Sequence, residues 1–204
     1  MQPSAYYSPT SGIYAEGAGP QAWAILGTLA LSQTVPAEAI QYLKGLAQSN
    51  GGWEWGPGWG TDTNATALAL QALIVTGEPA TSAVISGGLA YLKTAQNADG
   101  GFPYDPVSPW GTDSDANSTA YVIQALRAAG EDPAGPAWSQ GANNPLTFLL
   151  GLQLTDGSFE WKAGNGSNQL ATQQVIVSLL GRPFPLRVAE PRRCPAQYLP
   201  FVNR

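Results

Sequence analysis

Three aspartates stand just before helix-like runs, and they are the residues of this chain best suited to acid chemistry. Asp113 and Asp115 are two residues apart, and Asp62 precedes a similar run 53 residues before Asp115. A carboxyl group in such a place can act as a general acid, or it can accept hydrogen bonds from the first N–H groups of the following helix. We favour helix capping, because Asp62, Asp115 and Asn168 each stand four residues before a threonine.

The second of these stretches also resembles the start of a calcium-binding loop. Asp113, Asp115 and Asn117 have the alternate spacing with which an EF-hand loop begins. Such a loop continues with glycine at its sixth position and glutamate at its twelfth, where this chain has Ser118 and Gln124. We therefore keep the three residues as candidate calcium ligands, with capping as the favoured interpretation, and expect no metal or other cofactor.

Histidine and cysteine usage excludes several reaction types. The chain has no histidine and a single cysteine, Cys194. Nucleophilic catalysis of the Ser-His-Asp or Cys-His type is therefore ruled out, and so is a zinc site made of Asp, Cys and His. One cysteine cannot form an internal disulfide, so Cys194 is expected to be either an unpaired thiol or a link between chains.

Aromatic residues in three glycine-rich loops are the strongest signal of binding. Clustered aromatic rings suit flat apolar ligands, sugar rings or a protein partner. The candidate ligand-binding residues are Trp55, Trp59, Tyr104, Trp110 and Trp161, for which packing within the loop is the alternative. The first aromatic of each loop is instead assigned to packing between helices: Trp53, Phe102 and Phe159.

An internal repeat positions these residues. A leucine is followed by a glycine eight residues later and by an aromatic residue ten residues later, in three copies: Leu43, Gly51 and Trp53; Leu92, Gly100 and Phe102; Leu149, Gly157 and Phe159. The repeat threonines Thr66, Thr119 and Thr172 are 53 residues apart. Periods of about 50 residues predict stacked helix pairs. Apolar periodicity, caps and prolines predict seven helices, which begin near residues 20, 36, 64, 81, 117, 145 and 168.

Composition indicates one folded domain outside the cytosol. The chain has 204 residues, of which 44% are hydrophobic and only 11% are charged, and sparse charge is commoner in secreted proteins. We expect an extracellular or cell-surface location, although residues 1–4 do not form a signal peptide. No apolar run approaches ~18 residues, so no membrane span is expected. The predicted parts are a lead-in at 1–19, a repeat domain at 20–185 and a basic, proline-rich tail at 186–204.

Charge is unevenly distributed along the chain. Residues 1–181 carry 13 acidic and 4 basic side chains, whereas residues 182–204 carry one acidic and five basic ones. The acidic body has no basic stripe that could neutralise phosphates, so nucleic acid is excluded as its partner. The basic tail can either dock on an acidic face of the same or a neighbouring subunit, or remain a solvated tail.

The stretches Tyr91–Phe102 and Phe148–Phe159 resemble the QW-type repeat of the terpenoid cyclase and protein prenyltransferase superfamily. The first copy departs from it, because Gln48 stands one position late. The ending from Ala171 to Pro183 is similar to the last helix of secreted bacterial members, which resemble cobalamin carriers. This resemblance spans residues 20–185. It implies an α/α toroid, in which inner and outer helices alternate around a central cavity.

A full ring in that superfamily has about twelve helices. We therefore expect an all-α fold, a partial α/α toroid of about seven helices in three and a half helix-pair repeats, whose open ends could pair two copies. Class II cyclases use an Asp-x-Asp-Asp acid, and the stretch Asp113–Ala116 lacks its last carboxylate. The leading hypothesis is a non-catalytic extracellular binding or assembly module. The alternatives are a terpene-cyclase-like or glycan-processing enzyme using Asp62, Asp113 and Asp115, and a carrier of a cobalamin-like small molecule.

Overall fold

A computed structural model describes residues 3–186, and this part of the chain forms seven α-helices. Their bounds are α1 Ala18–Ala30, α2 Ala37–Gly45, α3 Thr63–Val75, α4 Ala83–Ala95, α5 Ala116–Ala128, α6 Pro145–Gly151 and α7 Gln169–Leu179. The number and order of helices agree with the sequence prediction, and most of their ends differ from it by up to three residues. Helix α1 begins at Ala18 rather than at Pro20, which stands in the first turn, where the N–H that proline lacks has no helical partner.

The helices form two layers. Helices α1, α3, α5 and α7 lie side by side in sequence order as an inner row, with α1 against α3, α3 against α5 and α5 against α7. Helices α2, α4 and α6 form an outer row, each packed against the inner helix that it neighbours in the chain. The architecture is therefore a partial α/α toroid, as expected. Helix α3 has neighbours on several sides, which explains why ten of its thirteen residues are buried.

Three inner helices begin with the same side-chain cap. Asp62 accepts a hydrogen bond from the Ala65 N–H of α3 at 2.7 Å. Asp115 caps α5 through the Ser118 N–H at 2.9 Å, and Asn168 caps α7 through the Ala171 N–H, also at 2.9 Å. A cap satisfies one of the N–H groups that a helix leaves unpaired at its start. The shared cap gives the three helices the same starting point in the repeat.

The first aromatic of each loop fills the space between helix pairs. Trp53 and Phe102 have no exposed surface, and Phe159 is 2% exposed. The Trp53 indole N–H also donates to the carbonyl of Leu43, at 2.9 Å, which fixes the ring against α2. Because a buried ring of this size contributes a large apolar area, these three residues hold successive helix pairs together.

The first tryptophan loop contains a small hairpin that sequence analysis missed. Strand β1, Trp53–Glu54, pairs antiparallel with β2, Thr61–Asp62, and Trp53 lies opposite Asp62. The six residues between the strands are rich in glycine, a composition that had predicted only an irregular loop. The pairing brings the wedge aromatic residue next to the cap of the following inner helix. Trp55 is the first residue after β1.

The two ends of the arc differ in how far their apolar residues are covered. At the N-terminal end, the lead-in covers α1: the Tyr7 and Tyr14 rings lie 4.8 Å apart and pack with the core, and the buried Gln21 side chain donates to the Gly12 carbonyl at 3.0 Å. At the other end, α7 exposes apolar residues within the described part of the chain: Leu170, Ile176, Leu179 and Leu180.

None of the helices in the described part of the chain is long and apolar enough to cross a membrane. Cys194 and most of the predicted basic tail, residues 187–204, lie outside the described residues.

Candidate ligand-binding site

A cavity of about 340 Å³ lies where the aromatic loops meet the first turns of the inner helices. We call it the mouth cavity. From the loops it is lined by Trp55, Trp59 and Tyr104, all three of which were predicted to bind ligand. From the helices it is lined by Asn64, Asn117, Tyr121, Leu170 and Gln174. Its volume falls in the lower part of the range for small-molecule sites.

The helical part of the lining follows the repeat. Asn64, Asn117 and Leu170 each stand two residues after the cap of their helix, and all three reach the same cavity. Tyr121 and Gln174 follow four residues later on α5 and α7, one turn deeper. None of these helical residues was predicted as ligand-binding, and Asn117 had been considered only as a candidate calcium ligand. The position two residues after each cap, which recurs every 53 residues, is the sequence signal that would have found Asn64, Asn117 and Leu170.

The second aromatic of each loop reaches back to the preceding inner helix. The Thr63 N–H at the start of α3 donates to the Tyr104 carbonyl at 2.9 Å, and the Ala116 N–H at the start of α5 donates to the Trp161 carbonyl at 2.9 Å. The Trp55 ring lies against the start of α1, where a Cβ on Gly19 would be 2.6 Å from it. Each loop is therefore anchored on the helix start of the repeat before it.

Trp110 and Trp161, also predicted to bind ligand, do not line the mouth cavity. Trp110 lies on the second loop, and 94% of the surface of this residue is exposed. Trp161 hydrogen-bonds the Asp115 side chain, and the Lys162 ammonium lies 4.9 Å from the centre of its ring. The structure thus separates these two rings from the three at the mouth cavity.

A larger hollow, of about 570 Å³, lies between the second and third loops. Its polar groups are already engaged with one another: the Asn97 amide donates to the Ser114 hydroxyl at 2.9 Å, and that hydroxyl donates to Asp99 at 2.8 Å. Asp113 also lines it and pairs with Lys162 at 3.6 Å. Because these partners satisfy one another, the larger hollow is a weaker candidate for a ligand than the mouth cavity.

Two buried atoms at the mouth cavity have no hydrogen-bond partner among residues 3–186. They are Oδ1 of Asn117 and Oε1 of Gln174. The other end of the Gln174 amide is fixed, since its Nε2 donates to the Tyr121 hydroxyl at 2.8 Å. Buried polar atoms in folded proteins are nearly always paired, so the unpaired oxygens of these two lining residues are candidate hydrogen-bond acceptors for a ligand.

Asp62 is buried beside the cavity and contacts it through Tyr104. Burial raises the pKa of Asp62 to about 7, although the N–H groups of Ala65 and Trp55 act to lower it. The Tyr104 hydroxyl lies near the Asp62 carboxylate, and burial together with that charge raises the pKa of Tyr104 to about 12. One carboxylate oxygen of Asp62 accepts from the Ala65 N–H, and the other accepts from the Trp55 N–H at 3.0 Å. Both oxygens are thus occupied, and Asp62 functions first as a cap.

The remaining acid candidates do not join Asp62. Asp115 is buried, which raises its pKa, and it is bound to the N–H and the hydroxyl of Ser118. The Asp113 side chain is 83% exposed. Of the suggested calcium ligands, Asp113 thus faces solvent and Asp115 is occupied as a cap. Within residues 3–186, the acidic side chains form no group of three that could hold a metal ion.

Comparison with known proteins identifies the fold family. Residues 15–186 match the family model described as the squalene-hopene cyclase C-terminal domain. A search of curated proteins found no match. Among solved structures, the chain is similar to Candida albicans protein geranylgeranyltransferase-I complexed with GGPP, at 15% sequence identity and a TM-score of 0.59. That match covers 86% of this chain and 53% of the other, so this chain spans about half the length of its structural relative.

Proposed function

Since the chain belongs to the squalene-hopene cyclase C-terminal domain family, we propose that it binds a small, mainly apolar molecule in the mouth cavity. One observation carries the proposal: aromatic rings line the same cavity as Asn117 and Gln174, each of which has a buried amide oxygen without a hydrogen-bond partner. The rings provide apolar surface, and the two oxygens accept hydrogen bonds. The ligand is therefore a ring-bearing molecule with a hydroxyl or amino group.

The volume of the cavity and the charge of its lining residues narrow the choice among ligand classes. A volume of about 340 Å³ suits one or two rings, whereas a cobalamin-like corrin is far larger. The structural relative is complexed with GGPP, a prenyl compound, and a prenyl chain has the required apolar character. A diphosphate, however, is recognised by arginine, lysine or metal ions, and none of the cavity-lining residues is basic. A neutral apolar alcohol or phenol fits better than a charged ester.

Titration with small probes tests this function. Tryptophan fluorescence is followed while 4-ethylphenol, ethylbenzene or glucose is added. We expect 4-ethylphenol to bind most tightly, because it offers both a ring and a hydroxyl. If none of the three probes shows saturable binding, the proposal is refuted. If only glucose binds, the ligand class is a sugar and the proposed apolar ligand is wrong.

Two variants assign the binding to this cavity. Asn117→Leu removes one acceptor, so the affinity for 4-ethylphenol should fall by about 3–10-fold while that for ethylbenzene does not fall. Trp110→Ala is the matched control, because Trp110 is exposed and does not line the cavity. A larger loss of affinity in the Trp110 variant than in the Asn117 variant would place binding elsewhere.

Acid catalysis is a second candidate function, favoured by one observation. Asp62 has its pKa raised to about 7 by burial and reaches the cavity through the Tyr104 hydroxyl, so at neutral pH part of it can supply a proton. Asp62→Asn keeps an acceptor for the Ala65 N–H at the cap, gives up the acceptor for the Trp55 N–H and removes the acid. An enzyme would lose turnover of a polyprenyl or glycan substrate in this variant but would still bind ligand, whereas a binding protein would show no turnover in either form.

We also propose assembly through the α7 end of the arc, with a second copy of this chain as the partner. Its support is the set of exposed apolar residues on α7 and at its C-cap, including Ile176 and Leu180. The low charge content supports an extracellular or cell-surface setting for both binding and assembly. Immunodetection in culture medium and cell fractions tests the location, and recovery only from the cytosol would contradict it.

A further inference from the structure

The segment that follows α7 turns back across the inner helices. The Gln124 side-chain amide on α5 donates to the Arg182 carbonyl at 2.9 Å, and the Phe184 N–H donates to Oε1 of Gln71 on α3 at 2.9 Å. Both glutamines are buried, with no more than 2% of their surface exposed. We call residues 182–186 the return segment. Two side chains from different inner helices thus hold it by its backbone.

The return segment lies deeper in the arc than the mouth cavity. Gln71 stands seven residues after Asn64 on α3, and Gln124 stands seven residues after Asn117 on α5. Seven residues of α-helix span about 10 Å, so on both helices the segment crosses about 10 Å below the level of the mouth cavity. It therefore lies at the inner end of any path that leads from the mouth into the arc.

Three aromatic rings connect the return segment with the cavity. The Phe184 ring lies 5.0 Å from the ring of Trp23 on α1. The Trp23 ring in turn lies 6.3 Å from the ring of Tyr121, edge to face, and Tyr121 lines the mouth cavity. Phe184 therefore packs against Trp23, which in turn packs against a ring that lines the cavity.

We propose that Phe184 determines specificity at the mouth cavity, by setting how long an apolar tail the ligand can carry. The inference rests on the proposed function. The return segment acts as an internal plug: Phe184 holds Trp23 against Tyr121, and a tail that extends inward meets these rings. Without the Phe184 ring, Trp23 has space to move, and the tail can extend into the arc.

The way the segment is held makes the proposal testable. Gln71 and Gln124 bind only main-chain atoms of the segment, so a change of the Phe184 side chain leaves both hydrogen bonds available. Phe184→Ala thus removes the ring while the segment stays attached. Leu186→Ala is the matched control, since Leu186 belongs to the same segment and is 41% exposed.

The experiment compares a series of 4-n-alkylphenols, from ethyl to octyl, on the whole chain. In the wild type we expect the affinity to stop rising after a short tail. In Phe184→Ala it should keep rising by about fourfold for each further methylene, the gain expected for a methylene removed from water. Leu186→Ala should follow the wild type. Phe184→Leu is a smaller change and should show a tail-length limit between those of the wild type and Phe184→Ala. It replaces the alanine variant in the test if that variant does not fold.

Three outcomes separate the hypotheses. A tail-length limit that shifts only in the Phe184 variants supports the plug. The same limit in the wild type and in folded Phe184 variants, whose circular dichroism is native, overturns it, because Phe184 then serves stability alone. Failure of every alkylphenol to bind the wild type overturns the proposed function and this inference with it.

Discussion

The backbone N–H of Trp53 donates to Oγ1 of Thr66 at 2.9 Å, which joins the wedge aromatic residue to the first turn of α3. The Thr66 hydroxyl donates in turn to the Asp62 carbonyl at 2.7 Å. The first bond recurs in the later repeats: Phe102 to Thr119 at 3.0 Å, and Phe159 to Thr172 at 2.9 Å. This pattern explains why threonine stands at a fixed place in the repeat, since the hydroxyl both accepts and donates.

Replacing Thr66 with valine should lower the free energy of unfolding by about 1–3 kcal/mol, because the buried Trp53 N–H is left without an acceptor. Thr66→Ser keeps the hydroxyl and should recover most of this loss. Thr172→Val should cost less, since that bond is only partly buried. Urea unfolding measures all three, and equal losses for the valine and serine variants would show that the hydroxyl does not matter.

The buried Asp62 predicts a pH dependence of stability. Its pKa is raised by burial to about 7 in the folded protein, against about 3.9 in an unfolded chain. Between these values the folded state retains a proton that the unfolded state has lost, so the free energy of unfolding falls as the pH rises from about 4 to about 7.

Asp62→Asn isolates this contribution. Asparagine caps a helix as well as aspartate does, and Asn168 already caps α7, but asparagine does not titrate. The variant should therefore gain stability relative to the wild type across this pH window, by about 1.4 kcal/mol for each unit that separates the two pKa values. Because Asp115 and other groups titrate in both proteins, their contributions cancel in the difference. A pH-independent difference would contradict the raised pKa.

Glycine positions with the same backbone conformation should differ in tolerance. Gly100 and Gly157 have φ of 85° and 86°, so alanine is strained at both by about 1–2 kcal/mol. At Gly100, however, the new Cβ would lie 2.6 Å from the backbone nitrogen of Asn144, whereas at Gly157 no described heavy atom lies within 4 Å. Gly100→Ala should therefore cost about 1–3 kcal/mol more than Gly157→Ala in thermal unfolding. Equal losses of stability in the two variants would mean that the cost of alanine comes from backbone strain alone and that the contact with Asn144 adds nothing.

Assembly through α7 predicts a concentration-dependent mass. Leu180 is 68% exposed at the end of α7, and a charge there would oppose burial against a second copy. Sedimentation velocity should show wild-type self-association that Leu180→Glu abolishes. Val107→Glu, at a position on the second loop that is 82% exposed, should leave self-association intact. A wild type that is monomeric at every concentration would refute this assembly.

The sequence by itself determined the helices and their order, because the signals that encode them are local. The caps Asp62, Asp115 and Asn168 each act within four residues of chain, and the glycines that directly follow the C-caps of inner helices α3, α5 and α7 supply a backbone conformation that other residues rarely adopt. The repeat of leucine, glycine and aromatic residue added the stacking of helix pairs. Neither inference required knowledge of distant contacts.

Only the tertiary structure decided which residues share a cavity. Trp59 and Trp110 stand in similar loops and are both exposed, at 72% and 94%, yet only Trp59 lines the mouth cavity. The convergence of Asn64, Asn117 and Leu170 depends on how three helices are turned relative to one another. The position of Phe184 depends on a bond to Gln71, 113 residues away in the chain. Spacing along a sequence does not by itself fix such long-range contacts, since they form only when the whole arc packs together.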